Sequence, residues 1–219
     1  MGFLVALLFL ITLPSNILIL SPIPLSLTLL NLFFKVFAIS ILIVTFLTDI
    51  KKGIIPDRIT YPAITIASSY LLLSTIYKII LNYIFISKSS LGKFLLPPYS
   101  DYFIRHSLII ASPFYLGLLT ALGLMIFFGG IIILTKGRGM GGGDLKLGIF
   151  LGLVLAFPNI LVALMLAFIS GSIIGIALLL MGKKQFGQTI PFGPFLTLGG
   201  IVAIYWGDKI TNWYLSLHV

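Results

Sequence analysis

Cysteine is absent from the 219 residues, and so is glutamate. The first absence excludes disulfides, thiol catalysis and any thiolate-held zinc or iron–sulfur site. Only two histidines occur, His106 and His218, far apart and in no ligand-like spacing, so neither a metal site nor a cofactor is expected. Charge is scarce: 9% of the residues carry it, where a soluble domain has about 25%. The five acids are all aspartates, Asp49, Asp57, Asp101, Asp144 and Asp208, set against fourteen lysines and arginines. So little charge excludes a soluble globular fold, a disordered chain and a coiled coil. The basic excess does not point to nucleic acid either, because the bases form no polar face and sit in short loops between apolar runs.

What the chain has in abundance is hydrocarbon. The apolar fraction is 59% and the mean hydropathy +1.21. Runs of eighteen or more uncharged residues recur, and a helix of that length crosses a ~30 Å hydrocarbon layer. The expected fold is therefore all-α, a polytopic membrane bundle forming one domain over residues 1–219. Hydropathy divides it into about seven spans, with six to eight as the range. They fall at Gly2–Leu20, Leu27–Thr48, Thr60–Phe85, Ser107–Thr135, Leu145–Phe157, Ile160–Met181 and Pro191–Asn212. In the second span Lys35 is expected to snorkel outward. In the third, Thr60 is placed as N-cap with Pro62 in the first turn. Residues 86–106 read as a polar connection.

Seven crossings put Lys51, Lys52, Arg58, Lys136, Arg138, Lys146, Lys183 and Lys184 on one side, and Lys78, Lys88, Lys93, Arg105 and Lys209 on the other. The richer side is expected to be cytoplasmic, which places the N-terminus inside, along with Asp49 and Asp144. Basic loops there also meet lipid headgroups.

Acids at the margin of a membrane span are unfavourable enough to be informative. Asp49 closes one apolar run and Asp144 opens another, both expected at one membrane depth. Two carboxylates meeting there can divide the labour of peptide hydrolysis: one accepts a proton from water while the other, kept protonated, polarises the scissile carbonyl. Neighbouring like charges in a poorly solvated site do not both ionise cheaply, which sustains that asymmetry. The plain alternative pairs Asp49 with Lys51 or Lys52, and Asp144 with Lys146. The glycines before Asp144, Gly141 and Gly143 among them, leave room for an extended substrate backbone, although a glycine loop between helices has the same composition. Lys146 either tunes Asp144, binds a substrate carbonyl or contacts lipid phosphate. Asp57 reads as a loop acid or helix cap. Gly148, Gly152, Ala167, Gly171 and Gly175 read as close helix packing, and Trp206, Trp213 and Tyr214 as an interfacial aromatic belt.

Three segments carry a resemblance. Gly139-Met140-Gly141-Gly142-Gly143-Asp144-Leu145-Lys146-Leu147 is similar to the GMGxGDxKL segment of the type IV prepilin leader peptidases, intramembrane aspartic proteases of the GxGD type. Asp49 through Pro62 resembles the family's first-aspartate segment, and Ile190-Pro191-Phe192-Gly193-Pro194-Phe195-Leu196 its IPFGPFL segment, which points to the bacterial branch. The resemblance implies that Asp49 and Asp144 are the catalytic pair, and that Pro191, Phe192, Gly193 and Pro194 support the substrate cleft. It further implies a multi-pass protein of the inner membrane that removes the basic leader of prepilin-like or pseudopilin-like substrates at the cytoplasmic face. Many bacterial members carry an insert with two CxxC pairs associated with N-methylation. No such pattern occurs here, so methyl transfer is not implied. Two other classes remain open on the residues alone: a proton-coupled transporter or channel using the same acids as relays, and an inert scaffold of the same fold. Oligomeric state is not legible.

Overall fold

A computed structural model describes residues 25–88, 92–97, 100–137, 140–182 and 191–217. The expected first span, Gly2–Leu20, lies outside the described residues, as do Arg138, Gly139, Lys183, Lys184, Ile190, His218 and the side chain of Lys93.

Seven helices make up the described chain: α1 (Leu25–Lys52), α2 (Asp57–Lys88), α3 (Tyr102–Ile110), α4 (Ser112–Leu134), α5 (Gly142–Leu155), α6 (Asn159–Leu180) and α7 (Gly193–Ser216). A short 3-10 turn, Gly92–Leu95, follows α2. Among the described residues there is no strand. Four helices, α1, α2, α4 and α6, are long and apolar enough to cross a membrane. The all-helical polytopic class expected from composition is thus the class observed.

The boundaries differ in instructive ways. The third span starts at Asp57, not Thr60, so Thr60 is no N-cap. Its hydroxyl sits buried inside the helix and donates back to the Pro56 carbonyl, and Pro62 lies within the helix beyond the first turn. The fourth span is two helices, because Pro113 takes the first turn of α4 and the chain breaks at Ala111. The described residues within 86–106 include the end of α2, the 3-10 turn and the start of α3. The fifth element begins at Gly142 and not Leu145, so Gly142, Gly143 and Asp144 form its first turn.

That fifth element, α5, is the hub. It has only 14 residues, about 21 Å at 1.5 Å per residue, and is apolar on every face. Leu147, Phe150 and Leu151 are essentially inaccessible, and α5 packs against α2, α4, α6 and α7. Close approach on the α4 side depends on small residues. A Cβ on Gly152 would come within 2.8 Å of the Ala121 backbone, and one on Gly148 within 2.5 Å of the Phe128 ring. Ala167 is fully buried in α6, and Gly171 lies against the Phe195 ring. The four-residue spacing of these positions is therefore a packing signal. Trp206, Trp213 and Tyr214 lie exposed in α7.

Candidate active site

α1 ends one turn after Asp49. Gly53 adopts φ +62 and its N–H bonds the Asp49 carbonyl at 2.7 Å, closing the helix in the left-handed conformation that glycine favours. The Asp49 carboxylate is left at this terminus, only 4% exposed. Across the site, Gly141 caps α5 in an extended conformation and Asp144 occupies the third helical position. From there its side chain reaches back to the Gly141 N–H, the acidic half of a capping box without the N-cap side chain that would complete it. Asp144 is 8% exposed.

The two acids meet at the start of α7. The Gly193 N–H, one of the donors a helix start leaves unpaired, bonds the Asp144 carboxylate. On its other side Gly193 touches Asp49, so closely that an added Cβ would overlap Oδ2. The helices bearing the acids were expected to be direct neighbours. Instead α7 packs on both and joins them, with no comparable packing of α1 on α5. Pro194 fixes the first turn of α7, which suits a ring with no N–H to lose.

Both acids open onto one cavity of about 580 Å³, also lined by Ile55, Asp57, Met140, Lys146, Pro191 and Phe192. Gly141, Gly142 and Gly143 form part of its wall without side chains. The glycines differ in purpose. A Cβ on Gly143 would come within 2.8 Å of Ile55, so this glycine serves packing, whereas at Gly142 a Cβ meets open space. Phe192 anchors the rim through ring contacts with Phe128 and Phe168.

Electrostatically the acids stand alone. Among the described residues neither forms an ion pair, and Oδ2 of Asp49 is buried without a hydrogen-bond partner. The local pairing with Lys51, Lys52 or Lys146 is not what the fold adopts. Lys146 instead bridges α5 to α2, with Nζ 2.5 Å from Asp57 and 4.7 Å from the centre of the Tyr61 ring. That contact holds the Lys146 pKa above its ordinary value. Asp144, at the head of α5 and outside the four membrane-crossing helices, is pushed up to about 6. Burial is the main cause and the nearby charge of Asp49 the second, opposed by the Gly141 and Gly193 N–H donors.

The sequence led to both acids, Gly141, Gly143, Lys146 and the Pro191–Pro194 segment, and the fold brings all of these to the same end of the bundle. Ile55 was missed. Its signal was the apolar Ile54-Ile55 pair interrupting the basic, polar segment after Asp49.

Fold and site together define a helical membrane protein with a solitary pair of buried acids over a glycine-walled cavity. The family model described as the Type IV leader peptidase family matches residues 36–176, and the chain belongs to that family. Among curated relatives, a prepilin leader peptidase/N-methyltransferase of Aeromonas salmonicida (strain A449) is 44% identical over 84 residues, 38% of this chain and 29% of the relative. Its namesake from Legionella pneumophila is 38% identical over 95 residues, 43% of this chain and 33% of the relative. The one from Bacillus subtilis (strain 168) is 35% identical over 103 residues, 47% and 41%. The matched segment thus spans well under half the length of each of these relatives. No solved structure matches the chain.

Proposed function

We propose that this chain is an intramembrane aspartic endopeptidase that removes the basic leader from type IV prepilin-like substrates. The observation that carries the reading is the convergence of Asp49 and Asp144, from separate helices and without an ion pair among the described residues, on Gly193 and a single cavity. In this proposal the pair shares one proton. The ionised acid takes a proton from water as its oxygen attacks the scissile carbonyl carbon. The protonated acid gives its proton to the carbonyl oxygen. Collapse of the tetrahedral adduct breaks the C–N bond: the departing amine takes up a proton from one acid while an adduct hydroxyl returns one to the other, leaving a carboxylic acid product and the pair again with one shared proton. The starts of α5 and α7 point their partial positive charge at the site and favour one net negative charge there.

The reading also assigns the substrate's apolar helix to the bundle surface, with its cleavage segment extended along Gly141–Gly143. The basic residues Lys51, Lys52, Arg58, Lys136 and Lys146 cluster on the helix ends and connections around the acids, and this supports a cytoplasmic orientation for that end. Incubating the purified chain with a prepilin-like peptide, followed by mass spectrometry, tests the activity. A single cut at the end of the basic leader is expected, and an intact peptide would refute the reading.

A further inference from the structure

A second cavity, of about 320 Å³, lies at the end of the bundle away from the acids. Lys35 precedes Asp49 in α1 by about 21 Å of helix, and Asp208 follows Gly193 in α7 by about 22 Å, so the two sites are separated along the bundle axis. Lys35, Lys78 and Asp208 line this cavity from three different helices. Among the described residues no ion pair joins them. Asp208 is instead held by α6, where the Asn159 amide donates to its carboxylate at 2.6 Å and accepts from the Thr211 hydroxyl. Gly207 lies tight against Asn159, 3.2 Å from its Cβ to an added side chain, which lets this contact form. The opposite wall is set by the Tyr70 hydroxyl donating to Asn31.

Lys35 and Asp208 are exposed and Lys78 is half-buried, so this cavity opens at the bundle surface, where ionisable groups gathered from separate membrane helices point to a site. Independent snorkelling of two lysines does not require an acid lining the same cavity. Here two cations and one fixed anion share a space equivalent to roughly ten water molecules at ~30 Å³ each. Such a set matches a zwitterion carrying a phosphate at one end and an ammonium at the other. We propose that this cavity binds a phosphoethanolamine group, with Lys35 and Lys78 on the phosphate and Asp208 on the ammonium. Placed among membrane-crossing helices, the site draws that group from a phospholipid headgroup.

Native mass spectrometry of the full chain, delipidated and then offered lipid, tests this. Phosphatidylethanolamine should bind about tenfold more tightly than phosphatidylglycerol of the same acyl chains, the discrimination expected of one charge-assisted contact. Asp208→Asn, which keeps the amide contact possible, should bring the two lipids to parity. Lys35→Met with Lys78→Met should weaken both. Soluble phosphoethanolamine, tested by thermal shift, separates the sources. Protection at concentrations where the lipid gives none would reassign the source to a free headgroup and overturn the lipid assignment. Equal binding of the two lipids by the unaltered chain, or an unchanged preference in Asp208→Asn, would overturn the site.

Discussion

Gly193 stands against Asp49 with no room for a side chain between them, while its N–H holds Asp144. One backbone position thus sets the spacing of two carboxylates that belong to other helices. A methyl group there has to displace Asp49, Ile55 or the whole start of α7, since Ile55 Cδ1 also lies 3.0 Å from the added carbon.

Gly193→Ala is therefore expected to lower kcat/KM by about 10²-fold, the scale associated with misplacing a catalytic group by ~1 Å. Gly142→Ala is the control, because its Cβ meets nothing. It should stay within a few-fold of the unaltered chain in the same peptide assay. Equal activity of both variants would show that α7 does not position the acids.

Asp49→Asn and Asp144→Asn should each reduce kcat/KM by at least about 10³-fold, and the double variant should fall no further, because the acids act as one unit. Circular dichroism in detergent should show the helices intact. Substantial cleavage by either single variant would return the proton-coupled transporter to consideration.

The protonated member of the pair gives the reaction a pH limb. Asp144 rises from an ordinary value of 3.8 to about 6. Activity should therefore decline as pH climbs above the range where the pair holds its proton. Stability follows with a definite sign. The folded state binds more protons than the unfolded one between those two values, so stability drops as pH rises through that window. Asp144→Asn removes the penalty and should melt higher at neutral pH, by up to about 3 kcal/mol at ~1.4 kcal/mol per pKa unit, with the advantage gone near pH 3. A variant that melts no higher at neutral pH would contradict the burial argument.

Lys146 and Asp57 make a different kind of contact. Asp57 is 59% exposed, so the ion pair is largely solvated. Asp57→Asn should cost less than about 1 kcal/mol of stability and keep most activity. A loss comparable to the Asp144 variants would place Asp57 among the reacting groups.

Orientation is open to direct measurement, since the absence of cysteine makes labelling clean. Single cysteines replacing Lys52 and Lys136 should be protected from impermeant maleimide outside intact cells, whereas one replacing Lys209 should react. The reverse pattern would invert the proposed topology.

Hydropathy made the helices legible, because long uncharged runs have few alternatives in lipid. Asp49 and Asp144 were legible for the same reason, as lone acids at the margins of such runs. What periodicity could not supply was three-dimensional adjacency. Neither acid's own helix encodes that α7 lies between them, and the resemblance put Gly193 in the cleft without placing it against both acids. The Lys146 pairing was misplaced in a similar way. A base two residues from Asp144 invites a local pair, yet a helix points positions i and i+2 in different directions, and Lys146 finds Asp57 on α2 instead. Helix ends slipped where prolines were involved, since Pro62 is tolerated inside α2 while Pro113 starts α4.

The shortness of α5 has one further effect. A 14-residue helix of about 21 Å is shorter than a ~30 Å hydrocarbon layer, so in the proposed orientation its acid-bearing end would be set back from the membrane surface. On the proposed reading that recess acts as a ruler. A substrate strand advancing roughly 3.3 Å per residue would bring a different peptide bond to the acids for every residue added between its apolar helix and its leader. The cut site would then be counted from the membrane inward rather than recognised by side chains alone.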